Sequence, residues 1–213
     1  MDLYILNAGA FLVAIIMLTL TPGLDTALVI RNTTRKGSLH GCITSLGICC
    51  GLFVHATLSA IGISAILLQS AELFHVMKWI GAAYLVYLGV TSLIGVWKGE
   101  GHLDIGNVSV KQTASIKRSF REGLLSNVLN PKTAVFYLAF LPQFINPEYS
   151  PLLQSLLMAS IHFVIAMVWQ CGMATMVHSA KNWVQNSSAM KWMEGITGVV
   201  LVSLGLKLAL DSD

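Results

Sequence analysis

Charged residues are scarce in this sequence of 213 residues: Asp, Glu, Lys and Arg together make up 11% of it, whereas hydrophobic residues make up 55%. Because soluble domains carry about 25% charged residues, this balance excludes an ordinary soluble protein and indicates a chain that lies in a lipid bilayer. Aromatic residues amount to only 8%, too few for the stacking surfaces with which many proteins hold nucleic acid. We therefore expect membrane lipids, and no nucleic acid, as partners.

Cysteine occurs four times, and its spacing contains neither a CxxC pair nor another zinc pattern. Cys49 and Cys50 are adjacent, but neighbouring residues of a helix point about 100° apart, which makes a poor chelate. We interpret the cysteines as small apolar helix residues, with soft-metal binding as the alternative that only this pair supports. The sequence also lacks HExxH, GxSxG and paired carboxylates inside apolar runs, so we expect no metal, no cofactor and no enzymatic activity.

Apolar residues form long blocks without two-residue alternation, which favours helices over a barrel. The blocks predict an all-α polytopic membrane protein with six transmembrane helices, at about residues 4–31, 40–68, 76–97, 121–141, 152–177 and 192–210. We expect the first block to be a retained span and not a cleaved leader. The Gly-, Ser- and charge-rich joint 98–120 separates three spans from three. The whole chain, 1–213, is thus expected to be one transmembrane domain, with repeat one at about 1–97 and repeat two at about 121–210.

Lysine and arginine are distributed unevenly among the joints. Ten of the thirteen lie in the joints after the first, third and fifth spans, namely Arg31, Arg35, Lys36, Lys98, Lys111, Lys117, Arg118, Arg121, Lys181 and Lys191. Only Lys78 and Lys207 lie on the other side, and Lys132 is inside the fourth span. Because basic joints stay in the cytoplasm, the linker 98–120 is predicted to be cytoplasmic and both termini are predicted to lie outside.

Two spans are interrupted by proline, the first at Thr21-Pro22-Gly23 and the fourth at Asn130-Pro131. In each case a good N-cap residue precedes a proline at the first helical position, and an apolar helix follows. Each interrupted span is the first of a three-span half, and an odd number of spans per half forces the halves into opposite orientations. The pattern predicts two inverted three-helix repeats, whose broken first and fourth helices meet at a binding site near the middle of the membrane.

Proline breaks leave backbone carbonyl and N–H groups free for a ligand. Asp25 is the only acidic residue well inside a span, and Lys132 is the only basic one. Because a charge at membrane depth costs of order 3 kcal/mol or more, we expect the two to approach each other near the middle of the membrane. The candidate substrate-binding residues are Thr21, Pro22, Gly23, Asp25, Thr26, Asn127, Asn130, Pro131 and Lys132. The structural alternative is that the prolines only kink the helices and that the charged pair only neutralises itself.

Three polar or small-residue features remain open to two interpretations each. Asn127 lies three residues before Asn130 and either lines the same face or makes a packing hydrogen bond. His55 is a candidate proton-coupling residue together with Asp25, the alternative being a neutral imidazole bonded to a neighbouring helix, which is how we interpret His162. Gly47 and Gly51 form a GxxxG pattern that allows close helix packing, within the protomer or across a homodimer.

Four stretches, in this order and spacing, resemble one known family. They are "LTPGLDTALVIRNTTRKGSLHG", "GLFVHATLSAIGISAIL", "MKWIGAAYLVYLGVTSL" and "FREGLLSNVLNPKTAVFYLAFLPQFI". They look like the lysine exporter and homoserine/threonine resistance family of bacterial amino-acid exporters. The family pattern often has a second proline before the aspartate, where this sequence has Leu24.

The resemblance implies a secondary-active antiporter in the bacterial inner membrane, with both termini periplasmic in the orientation given above. Its partners would be a small amino-acid substrate, which it exports, and protons, which drive the export. One branch of the family is linked to cadmium, so heavy-metal cation efflux is the alternative function.

Overall fold

The computed structural model describes residues 5–67, 71–98 and 115–179, together with nine further positions between 195 and 210. These residues are all helical, apart from connecting segments and an isolated antiparallel bridge between Ile5 and Ile145. The helices are α1 (Ala8–Leu20), α2 (Leu24–Lys36), α3 (Ser38–Leu67), α4 (Ala71–Lys98), α5 (Ile116–Val128), α6 (Pro131–Val135), a π-helix (Phe136–Phe140), a 3₁₀ helix (Leu141–Phe144) and α7 (Pro151–Ser179). Most of the linker 98–120, and the sixth predicted span except those nine positions, lie outside the described residues.

The first predicted span is formed by α1 and α2, whose axes are bent by 48° at the segment between them. α2 ends at Lys36, and Gly37 follows it with a φ of 94°, which lies in the region that glycine adopts without strain. That residue reverses the chain, and α3 begins at the next position, Ser38.

The fourth predicted span, 121–141, consists of several short helices. α5 begins earlier than predicted, at Ile116, because its exposed Lys117 and Arg118 can continue the helix beyond the apolar block into water. After the segment at Asn130, α6 passes directly into the π-helix, where the carbonyl of Tyr137 accepts a hydrogen bond from Ser59 Oγ at 2.6 Å.

α3 is the central helix and packs most extensively against α5 and α7. Its contact with α5 is close because glycines lie on both sides. Gly47 faces the backbone of Phe120, and Gly123 faces the carbonyl of Thr44. Gly51, the second glycine of the GxxxG pattern, lies against the Asn127 side chain. The pattern therefore packs within the protomer.

The two interrupted spans run antiparallel. At one end, Glu122 of α5 pairs with Arg31 of α2 at 3.3 Å, with Lys36 at 3.9 Å and with Arg118 at 2.9 Å. At the other end, the start of the first span meets the end of the fourth through the bridge between Ile5 and Ile145. The N-terminal end of one span thus lies beside the C-terminal end of the other.

Polar residues lie inside this bundle, and large apolar side chains lie on its surface. Gln154 and His162 are buried, whereas Val168 and Leu153 of the same helix are 71% and 70% exposed. Among the described residues, Ser38–Gly62 and Pro151–Val177 are long and apolar enough to cross a membrane, and the bent pair of α1 and α2 is a third candidate. The expectation of an all-helical membrane protein is confirmed on these residues.

Candidate functional site

The two interrupted spans meet at a cavity of about 50 Å³ inside the bundle, which is room for several water molecules. Both interruptions, α3 and α7 contribute to its wall. The lining residues are Leu18, Thr19, Thr21, Gly23, Asp25, Thr26, Ile48, Leu52, Asn127, Asn130, Lys132, Thr133, His162, Ala166 and Gln170.

The carboxylate of Asp25, in the first turn of α2, accepts three hydrogen bonds from the region of the second interruption. Ser126 Oγ donates at 2.7 Å, and the side-chain amides of Asn127 and Asn130 each donate at 3.0 Å. Bonds from neutral donors to an ionised acceptor are strong. The groups bound directly to the Asp25 carboxylate are therefore neutral donors.

The ammonium group of Lys132, in the first turn of α6, is bound to the backbone of the first interruption. Its Nζ donates to the carbonyl of Leu18 at 3.0 Å and to that of Thr21 at 2.9 Å. In a continuous helix the carbonyl of Leu18 would accept from the N–H four residues later, but that residue is Pro22, which has none. The proline thus creates the acceptor that Lys132 uses.

Among the residues that the structure describes, Asp25 and Lys132 form no ion pair within 4.0 Å. They line the same cavity, but each is held by polar groups of the opposite interruption. The sequence predicted that these two charges approach each other. They share one cavity, and the groups bound directly to each of them are the polar groups of the opposite interruption.

Seven of the nine candidate substrate-binding residues line the cavity; the two prolines, Pro22 and Pro131, do not. Pro131 is the first residue of α6 and is exposed. Asn130 caps that helix, its Oδ1 accepting from the backbone N–H of Lys132 at 3.0 Å. The prolines therefore shape the backbone around the cavity without contributing to its wall.

His55 is buried in α3 and lies behind the cavity wall. Its Nε2 is 2.9 Å from the carbonyl oxygen of Asn127. Because a carbonyl only accepts, Nε2 carries the hydrogen of this bond. His55 thus holds the residue whose side chain donates to Asp25.

α7 contributes His162 and Gln170, and the sequence had identified neither as a site residue. Thr19 Oγ1 donates to Ile15 O at 2.7 Å, so it accepts from His162 Nε2 at 3.1 Å, and Tyr137 OH donates to the other ring nitrogen at 3.0 Å. A neutral imidazole satisfies both contacts. The sequence contains one signal for these residues. His162, Ala166 and Gln170 follow one another at intervals of four residues, which places them on one face of a helix.

Within the described part of the chain, no three His, Cys, Asp or Glu side chains come close enough to hold a metal ion, and all four cysteines are free.

An apolar exterior and a charged internal cavity are features of membrane transporters. Residues 16–212 match the LysE type translocator family, and the chain belongs to that family. It is a translocator and not an enzyme. The resemblance stated from the sequence motifs is confirmed.

Several curated bacterial proteins are similar along most of the chain. An uncharacterised membrane protein of Bacillus subtilis, YrhP, is 38% identical, with 91% of this chain and 94% of the relative covered. A homoserine/homoserine lactone efflux protein of Salmonella typhimurium is 31% identical, with 94% of each chain covered. A leucine efflux protein of Salmonella choleraesuis is 28% identical over 67% of this chain and 65% of its own. No solved structure matches the chain.

Proposed function

We propose that this protein is a secondary-active exporter that moves an amino acid or a derivative out of the bacterial cytoplasm in exchange for protons. The observation that carries the proposal is the cavity in which Asp25 and Lys132 face the same space without being paired. A zwitterion brings one charge of each sign, so both charges of the cavity can interact with it. The names of the two efflux relatives, for homoserine or its lactone and for leucine, support this substrate class.

The two ends of the zwitterion have different partners in this proposal. The ammonium group interacts with Asp25. The carboxylate interacts with Lys132 and with the start of α2, which begins at Leu24 without a side-chain cap. Free N–H groups and the positive end of a helix dipole favour an anion at such a position.

Proton coupling is proposed to act by competition at Asp25. A proton that binds the carboxylate from outside removes the negative charge that attracts the substrate's ammonium, so the substrate is released. His55 participates through Asn127, because a charged imidazole would donate more strongly to the Asn127 carbonyl. That bond holds the backbone of Asn127, whose side-chain amide donates to Asp25.

The proposed architecture is six transmembrane helices in two inverted repeats, broken at Pro22 and Pro131, in the bacterial inner membrane. The antiparallel orientation of the two interrupted spans supports this architecture. Basic residues cluster around Glu122 at one end of the bundle. That end is assigned to the cytoplasm and both termini to the periplasm. A reporter fused after residue 105 should behave as cytoplasmic and one at the C-terminus as periplasmic; the opposite result would reverse the orientation.

The function is tested by expressing the protein in cells challenged with toxic levels of each amino acid and its analogues, with cadmium as a separate arm. We expect tolerance to at least one amino acid, and Asp25→Asn should abolish it, because the amide keeps the shape of the carboxylate and loses its charge. Glu148→Gln is the matched control, since Glu148 lies in the exposed segment before α7, away from the cavity lining.

Membrane abundance of all variants is measured alongside. Tolerance that Asp25→Asn retains at normal abundance would remove Asp25 from the mechanism. Tolerance to cadmium alone would contradict amino-acid export and favour the cation-efflux alternative.

A further inference from the structure

We propose that the carbonyls of Leu18 and Thr21 form a subsite for a primary ammonium group, which Lys132 fills in this structure and which the substrate's ammonium takes over from it. The inference rests on the proposed function, because it places one end of the amino acid more closely within the same cavity. In this proposal Lys132 competes with the substrate's ammonium for the two carbonyls, and it is also a partner for the substrate's carboxylate.

The subsite is built from backbone that has no helical partner. The Leu18 carbonyl points to position 22, where proline offers no N–H, and Thr21 belongs to the segment between α1 and α2. The negative end of the α1 dipole adds to the attraction for a cation. The distances of 3.0 and 2.9 Å to Lys132 Nζ show that an ammonium group fits between these two oxygens.

A third acceptor stands in the same cavity. Gln170 is 7% exposed, and its Oε1 is buried with no hydrogen-bond partner among the described residues. An ammonium group has three hydrogens to donate, and the carbonyls of Leu18 and Thr21 use two of those on Lys132. A substrate's ammonium, free of the lysine tether, can turn its third hydrogen towards Gln170 or Asp25, both of which line the cavity.

Lys132 has another partner when it is displaced. The Asp25 carboxylate lines the same cavity, and the arriving substrate brings a carboxylate of its own. Gly23 lies beside the ammonium group, and even a Cβ on it would be 4.0 Å from Lys132 Nζ. Position 23 therefore leaves room for the movement. The return of Lys132 to the two carbonyls then assists release of the substrate.

The test is binding of n-propylammonium, which has no carboxylate, to the purified full-length protein in detergent, measured by calorimetry. Lys132→Met keeps the length of the side chain and removes its donors. We expect this variant to bind propylammonium at least tenfold more tightly than the parent, because the competitor is gone. Lys117→Met, at an exposed position of α5, should bind like the parent, and tetramethylammonium, which has no N–H, should bind to neither.

Adding Pro22→Ala to Lys132→Met should reverse the gain, since alanine supplies the N–H that the Leu18 carbonyl lacks. If Lys132→Met does not fold, Lys132→Gln replaces it. Its amide competes for the two carbonyls less strongly than an ammonium group does, so this variant should also bind propylammonium more tightly than the parent. Equal affinity of the parent and the folded Lys132 variant, or equal binding of tetramethylammonium, would overturn the subsite. Because propylammonium binding needs no transport, a protein that binds it but exports no amino acid would contradict the proposed function alone.

Discussion

Asp25 and Lys132 show how single charges can be held inside a helical bundle by neutral groups. Three side-chain donors surround the carboxylate, and two backbone carbonyls accept from the ammonium. Each hydrogen bond to a charged group contributes about 1.5–3 kcal/mol. Together they offset much of the cost of burying the charge, and they do so without locking the two residues into an ion pair that a substrate would have to separate.

Asn130 has two separable tasks, and its variants should separate them. Its Oδ1 caps α6, and its amide donates to Asp25. Asn130→Ser keeps a capping oxygen and loses the amide, whereas Asn130→Ala loses both. We expect Ala to be less stable than Ser by about 1 kcal/mol in thermal unfolding, while both lower export to a similar extent. A Ser variant that exports like the parent would show that the amide donor is dispensable.

The charged residues of the cavity could be predicted from the sequence because a charge or a proline inside an apolar run is a local signal. Asp25, Lys132 and Asn130 were found in this way. Ser126 and Gln170 were not, since a neutral polar residue within a helix is a weak local signal, and the spacing of Gln170 from His162 shows a shared face without showing what that face contacts. Which of them faces the cavity depends on how each helix is rotated against its neighbours, and the sequence does not specify that rotation.

At the scale of elements, the contact of α3 with α5 depends on the absence of side chains. A Cβ on Gly47 would collide with the backbone of Phe120, which cannot move independently of its helix. The same contact brings Asn127 beside Gly51 and within reach of Asp25. The glycine face therefore positions a donor of the site as well as the two helices.

Gly47→Ala should destabilise the protein by about 1–3 kcal/mol, the usual effect of inserting a methyl group where there is no room for it. Gly62→Ala is the matched control on the same helix, because a Cβ there meets no described atom within 4 Å. It should be neutral or stabilising by up to about 1 kcal/mol, since alanine favours helix. Thermal unfolding in detergent compares the two; equal melting temperatures would contradict the close contact.

The long helices that the structure describes could be predicted from the apolar blocks, but the division of the fourth span into short helices could not. Between Pro131 and Pro142 the sequence is almost continuously apolar, and nothing in it predicts a π-helix at Phe136–Phe140. That helix is supported from outside, by the bond from Ser59 to the Tyr137 carbonyl. Long-range partners of this kind cannot be derived from local pattern.

At the scale of the whole molecule, the cavity lies between two contacts that join the first and fourth spans. Ion pairs to Glu122 join them at one end, and the bridge from Ile5 to Ile145 joins them at the other. In the proposed transport cycle, these two contacts open in turn around the cavity. Rocking of one proposed repeat against the other would provide this alternating access.

Proton-coupled export through Asp25 is the central claim, and transport by purified protein in liposomes tests it most directly. With an acidic lumen and the exported amino acid outside, the parent and Glu148→Gln should accumulate the amino acid in the lumen, because protons leave as it enters, and a protonophore should abolish the accumulation. Asp25→Asn should accumulate none. Accumulation by Asp25→Asn equal to that of the parent, or parental transport indifferent to the proton gradient, would contradict the account.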